Sequence, residues 1–309
     1  MSSAWDGLVN NERETQLPHY ALSKKLAADS YFTSAQTAEK CMSIFFNAVD
    51  DDLSAHKFVE PSAGHGVFYD LFPPERRIGI ELCGRRKCFL KKDFLKWYPP
   101  TDTEQKYVVV GNPPFGVRGA LALAFVNRSL LFSDYVAFIL PMSFHSNGKG
   151  SNMRRVANGH LISSTVLEGE QFHSPDTGKD IKVNALFQVW KIGPGPSIFP
   201  DYNIDDYATI YTVCSSPDRL CGLDKIGVYD FFVSSSYFGD NLKTVYDFED
   251  VKYGSGYGII LKKDKKKIME NMREVEWDDY SSMATNRCKH IRKYSIEKCL
   301  YDMGFGYIA

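Results

Sequence analysis

Three observations in the sequence predict an α/β chain followed by a smaller α+β unit. Apolar runs of strand length alternate with helically periodic segments from residue 57 to residue 192. The apolar runs end abruptly in glycine, proline or acidic residues, as strands do when they deliver a loop to one edge of a sheet. Gly193-Pro194-Gly195-Pro196 then breaks the alternation, and the chain beyond it is aromatic-rich and poorly periodic. The expected division is a polar lead-in over 1–30, a catalytic α/β domain over 31–192 and a further domain over 193–309.

In chain order, Ala35 to Val49 places Ala38, Cys41, Met42, Ile44, Phe45 and Ala48 at helical spacing, with Thr33 or Ser34 suited to the N-cap. Lys57-Phe58-Val59-Glu60 is a short strand, and residues 61–68 turn it towards a helix. Gly64 and Gly66 permit a tight turn and close approach to a ligand. A phosphate cradle is disfavoured, because Glu60 precedes the loop and no P-loop lysine follows it; the carboxylate suits an amino-bearing or cationic ligand.

Residues 77–82 form the second strand, with Glu81 at its end. A carboxylate there can accept from both hydroxyls of a ribose, although for Glu81 in isolation a solvated strand-end glutamate is the favoured reading. Asp93 can accept from an adenine amine and Phe94 can flank the ring. The third strand is Tyr107-Val108-Val109-Val110-Gly111, followed by a helix over 120–131, a strand over 134–141 and a short helix over 152–157. Two further strands, 164–169 and 183–190, flank a polar loop at 173–180.

The third strand runs directly into Asn112-Pro113-Pro114-Phe115-Gly116, a stiff turn at a strand end. Asn112 offers a side-chain carbonyl that accepts from an amine, and Pro113 leaves its backbone carbonyl as a second acceptor. Phe115 offers a flat apolar face for a nucleobase, a contact worth about 1–3 kcal/mol. A structural Pro-Pro turn with Phe115 in the core is the plain alternative.

The chain has 309 residues, 44% of them hydrophobic and 24% charged, with a formal net charge of −1. That is globular composition without a global basic field, so any polyanion footprint must be local. Seven scattered cysteines without a CxxC pair point to reduced thiols, and Cys288 with His290 lacks the second ligand pair of a zinc site. With no apolar leader and no run of eighteen apolar residues, an intracellular chain without a membrane span is expected. Candidate phosphate contacts are Arg154 and Arg155 beside the mouth, and Lys262, Lys263, Lys265, Lys266, Lys267 and Arg292 in the aromatic-rich half. A lysine run is also an ordinary solvated face.

Taken together, Glu60-Pro61-Ser62-Ala63-Gly64-His65-Gly66-Val67-Phe68, Glu81, Asp93-Phe94 and Asn112-Pro113-Pro114-Phe115 resemble the S-adenosylmethionine-dependent amino-methyltransferases that modify adenine. Tyr31-Phe32-Thr33-Ser34 is similar to their aromatic-threonine motif, and the motif order resembles the gamma arrangement of adenine-DNA methyltransferases. The resemblance covers 31 to about 192; residues 193–309 match a target-recognition domain only in position and character.

It implies a Rossmann-like class I methyltransferase sheet with helices on both faces and S-adenosylmethionine as cofactor, without a metal. Cofactor contacts would come from Tyr31, Thr33, Glu60, Pro61, Ala63, Gly64, Gly66, Glu81, Asp93, Phe94 and Asn112. Catalysis would fall to Asn112, Pro113, Pro114 and Phe115. The implied reaction is methylation of the adenine N6 amine in nucleic acid, with DNA expected ahead of RNA. RNA adenine methyltransferases and the protein-glutamine methyltransferases of release factors carry related motifs, and a non-catalytic cofactor-binding subunit is a further alternative.

Overall fold

The computed structural model describes residues 32–100, 104–145, 151–173, 180–196, 200–213, 228–239, 242–247, 255–283 and 288–309. The lead-in, Tyr31 and residues 174–179 of the polar loop lie outside the described residues.

The first unit is built on β1 (Phe32–Thr33), α1 (Ala35–Ala48), β2 (His56–Glu60), β3 (Arg77–Gly79) and β4 (Lys106–Gly111), continuing with α2 (Ala120–Ser129), β5 (Tyr135–Pro141), β6 (Gly159–His173) and β7 (Asp180–Ile192). One seven-stranded sheet orders them β1-β6-β7-β5-β4-β2-β3. The pairs β2–β3, β2–β4 and β4–β5 are parallel, whereas β7 runs antiparallel to β5 and β6 antiparallel to β7. This is a mixed, Rossmann-like α/β sheet with a helix on each face. Strand β2 has β3 on one side and β4 on the other, so the strand order reverses there and opens a crevice at the carboxyl ends.

Strands β4 and β5 read as continuous apolar runs because both of their faces are covered. Val109, Val136, Phe138 and Leu140 pack with Leu123, Phe125 and Val126 of α2. The alternate residues Val108, Val110, Ala137 and Ile139 pack with Ala38, Cys41 and Phe45 of α1. Ser34 caps α1, its hydroxyl accepting from Thr37 N at 3.1 Å.

Three expectations of the sequence are corrected in kind or extent. No α-helix follows the Gly64 loop; two 3-10 turns, Tyr69–Leu71 and Pro74–Arg76, stand there. Pro73 and Pro74 leave too little chain for α-helical turns before β3 begins. The short helix expected over 152–157 is present but reduced to one 3-10 turn, Met153–Arg155. Strands β6 and β7 greatly exceed the expected 164–169 and 183–190, because they pair with each other as far as His173↔Asp180, through two register shifts. Their polar residues suppress an apolar pattern that cross-strand hydrogen bonds do not need.

The second unit holds β8 (Tyr202–Asn203), β9 (Ala208–Val213), β10 (Phe231–Ser234), β11 (Ser236–Tyr237), β12 (Gly256–Leu261), α3 (Lys265–Arg273), β13 (Ser282–Met283), β14 (Lys289–His290), α4 (Lys293–Asp302) and β15 (Tyr307–Ile308). Strand β12 pairs antiparallel with β10 and β9. Its own core joins Phe231, Ile259, Ile268, Trp277, Ile296 and Leu300. Arg154 of the first unit meets Asp201 at 3.1 Å. Among the described residues no helix is long and apolar enough to cross a membrane.

Candidate active site

The crevice at the carboxyl ends of β2, β3 and β4 gathers the turns singled out in the sequence. Strand β4 delivers Asn112 at its end, and the Asn112 side-chain amide nitrogen donates to Thr33 Oγ1 at 3.1 Å. Ser62 Oγ, from the turn after β2, donates to the Asn112 backbone carbonyl at 3.0 Å. Three segments remote in sequence thus meet at one residue. A side chain at Gly111 would meet Pro61 Cδ at 3.3 Å and Glu60 Cγ at 3.4 Å, so glycine lets the two turns pack together.

Pro113 is buried, Pro114 half-buried, and the half-buried Phe115 packs against the edges of both cores. The exit of the turn is braced by the buried Asn152, which donates from Nδ2 to the Arg118 carbonyl at 2.8 Å and to Ser143 Oγ at 2.9 Å. Arg118 there holds a left-handed φ of 54°. Sequence reasoning missed Ser62, Ser143 and Asn152 as supports, since a lone Ser or Asn carries no motif and their partners lie up to 50 residues away.

In the loop after β2, Gly64 and Gly66 have φ of 52° and 82°, the left-handed region that glycine enters without strain. Gly64 N donates to Glu81 Oε2 at 2.7 Å, and Cys83 N donates to Glu81 Oε1 at 3.1 Å. Glu81 therefore ties the second strand end to the loop. Ala63 N donates to the Ile80 carbonyl at 2.9 Å beside it. The Phe32 ring covers Gly64, with the His65 ring at 4.3 Å on it and the Arg85 guanidinium at 5.0 Å.

Glu60 turns inward. It is 2% exposed and accepts from Tyr69 N at 2.8 Å, and burial pushes its carboxyl up to about 8, with the Tyr69 and Phe68 backbone N–H groups pulling the other way. Asp93 caps a 3-10 turn, accepting from Leu95 N at 3.0 Å. Phe94 corrects an expectation: it is 2% exposed and stacks on Phe125 at 5.1 Å, which makes it a core ring and not a wall of the crevice. The apolar contacts of α2 outcompete exposure there.

The basic candidates are scattered. Besides the Arg154–Asp201 pair, Arg155 is exposed. In the second unit Lys262 donates to the Asp205 carbonyl at 2.8 Å, Lys263 lies over Tyr207 at 5.2 Å, Lys265 pairs with Asp230 at 3.2 Å and Lys267 lies over Phe305 at 5.5 Å. Four of the five lysines thus bind their own unit, while Lys266 is exposed. Arg292 is the N-cap residue of α4. A second run escaped the sequence reading: Arg85, Arg86, Lys87, Lys91, Lys92 and Lys96, beside the crevice and countered within the run by Asp93 alone. Charge counted in a short window would have found it. Among the described residues no group of three or more His, Cys, Asp or Glu side chains is placed to hold a metal ion.

No family model and no curated protein matches the chain. Solved structures similar to it include a Pyrococcus horikoshii protein described as a candidate RNA methyltransferase, at 16% identity and a TM-score of 0.41, covering 58% of this chain and 94% of that one. A protein of Thermoplasma acidophilum matches at 13% identity and a TM-score of 0.37, over 52% of this chain and 90% of its own. The 23S rRNA methyltransferase ErmE matches at 14% identity and a TM-score of 0.35, over 54% of this chain and 71% of its own.

Proposed function

We propose that this chain transfers the methyl group of S-adenosylmethionine to the exocyclic N6 amine of adenine in a nucleic acid. The observation that carries the reading is the placement of Asn112 at the end of β4, its amide nitrogen held by Thr33, next to the loop that Glu81 ties down through Gly64. DNA is the expected polymer from the motif order, and RNA is the alternative.

The residues present fit the cofactor. The loop 60–66 carries no lysine or arginine, which leaves it unsuited to phosphate, and Glu81, bonded to Gly64 N beside it, supplies a carboxyl group suited to hydroxyl groups. Pro61, Ala63, Gly64, Gly66 and Glu81 would hold it, with Thr33 at the edge, while the buried Glu60 supports the loop from behind through Tyr69 N. S-adenosylmethionine would supply an activated methyl group on sulfur.

The chain's own task is to present the amine. The adenine N6 lone pair is delocalised into the ring and is a poor nucleophile. The Asn112 side-chain oxygen and the Pro113 carbonyl would accept its two hydrogens and favour a pyramidal nitrogen. Thr33 orients this acceptor, because an amide whose nitrogen donates to a fixed hydroxyl presents its oxygen the other way. Phe115 would stack on the base, which in a duplex must first be flipped at a cost of a few kcal/mol. Alignment accounts for most of the acceleration, since a well-oriented pair gains roughly 7–11 kcal/mol.

The test is transfer of a labelled methyl group to separate DNA, RNA and protein pools, followed by nucleoside and amino-acid analysis. N6-methyladenine in either nucleic acid supports the reading and identifies the polymer. Label in glutamine of a release-factor-like protein, or measurable cofactor binding without any transfer, overturns it.

A further inference from the structure

The cationic run at 85–96 is the feature that the catalytic machinery leaves unexplained. Six lysines and arginines stand against Asp93 in a chain whose net charge is −1. Asp93 is occupied in capping Leu95 N, and Arg86 alone has an acidic partner, gripping Asp70 through two bonds of 2.7 and 2.8 Å. Arg85, Lys87, Lys91 and Lys92 are exposed and form no ion pair among the described residues. Like charges held this close repel one another in the isolated protein, and a polyanion relieves that repulsion.

Position adds direction to the charge. The run begins four residues after Glu81, and its Leu90 returns to the sheet through a parallel bridge to Ile80. It therefore borders the crevice at the carboxyl ends of the strands. Arg85 connects it to the loop itself, lying over the Phe32 ring that covers Gly64. Leu82 and Leu90 are 65% and 40% exposed among these cations, apolar surface of the kind an unstacked base contacts. The lysines of the second unit are, by contrast, mostly engaged with their own fold.

We propose that Arg85, Lys87, Lys91 and Lys92 form the track along which the phosphate backbone of the nucleic-acid substrate leaves the catalytic turn. The proposal rests on the function argued above and adds where the polymer lies. Such contacts fix position and carry no base identity, so they should act alike on all sequences.

The experiment measures binding of fluorescently labelled DNA and RNA, each single-stranded and duplex, to the full chain across a salt series, for the parent and for the Arg85→Ser/Lys87→Ser/Lys91→Ser/Lys92→Ser variant. The log–log salt slope of the variant should flatten by about 3, from roughly 0.7–0.9 for each phosphate no longer neutralised, with affinity at least about tenfold weaker. Lys91→Ser/Lys92→Ser should give about half that change in slope. Cofactor affinity and melting temperature should stay at the parental values in Lys91→Ser/Lys92→Ser, which leaves Arg85 on the Phe32 ring. A parent that binds and a variant with an unaltered slope would overturn the track while leaving the function standing. A variant that loses cofactor affinity but keeps its oligonucleotide slope would assign the strip to the cofactor side, which also overturns it. A parent that binds neither polymer would overturn track and function together.

Discussion

Asn112 donates its side-chain amide to Thr33 Oγ1 at 3.1 Å across 79 positions of sequence. Thr33 is 7% exposed and belongs to β1, which pairs with the far end of β6 at Thr33↔Phe172. The orientation of the Asn112 amide is therefore anchored to the long hairpin as well as to its own strand. Thr33→Val keeps the shape and removes the acceptor, and should lower kcat about tenfold, the cost of roughly one hydrogen bond. Thr33→Ser should restore most of it. A loss in Thr33→Ser as large as that in Thr33→Val would show that the hydroxyl is not what orients the amide.

Asn112→Ala should abolish methyl transfer and leave cofactor affinity nearly intact, because the amide is assigned to the target amine. Single-turnover assays alongside calorimetric titration with S-adenosylmethionine separate the two effects. Near-normal turnover would remove Asn112 from the reaction.

Glu81 holds Gly64 N and Cys83 N with its two oxygens, so its removal should loosen the loop as well as the cofactor. Glu81→Ala is expected to weaken cofactor binding by about 1–3 kcal/mol, the range of a charge-assisted hydrogen bond. Hydrogen exchange at Gly64 should rise in the same variant. Unchanged affinity by calorimetry would exclude Glu81 from the cofactor site.

Gly64 has a φ of 52°, and an added Cβ would stand 3.1 Å from the Phe32 ring. Gly64→Ala should destabilise the chain by about 1–2 kcal/mol through the left-handed backbone alone. It should displace Phe32 as well, and cofactor affinity should fall with stability. A melting temperature equal to the parent's would show that the loop relaxes at no cost.

Buried Glu60 makes stability depend on pH. Its folded-state value of about 8 lies above the ordinary 4.5, so the folded chain keeps a proton that the unfolded chain has released. This group's contribution is greatest below its unfolded value and is lost as the pH rises through about 8. Each unit of difference corresponds to roughly 1.4 kcal/mol, which makes the total a few kcal/mol at most. Urea midpoints of the parent should decline between about pH 5 and pH 8, and Glu60→Gln should flatten that decline. Parallel profiles would place the proton elsewhere.

The sequence alone determined the elements whose signals are local. An unbroken apolar run ending in Asn112-Pro113-Pro114 reads as a buried strand and a stiff turn, because propensity, missing N–H groups and fixed φ act within a few residues. The same holds for α1, whose buried Ala38, Cys41, Met42 and Phe45 repeat at helical spacing behind a Ser34 cap. Partners across the fold were decided only by the tertiary structure. Nothing in the residue types says that Thr33 meets Asn112, that Asn152 braces Arg118, that Phe94 turns into the core or that Lys265 finds Asp230. The 3-10 turns after the Gly64 loop and the full length of the β6–β7 hairpin belong with these. Each depends on which surfaces the packed sheet brings together, and a hydrogen bond or an apolar contact is chosen by geometry between distant segments, which no short window of sequence contains.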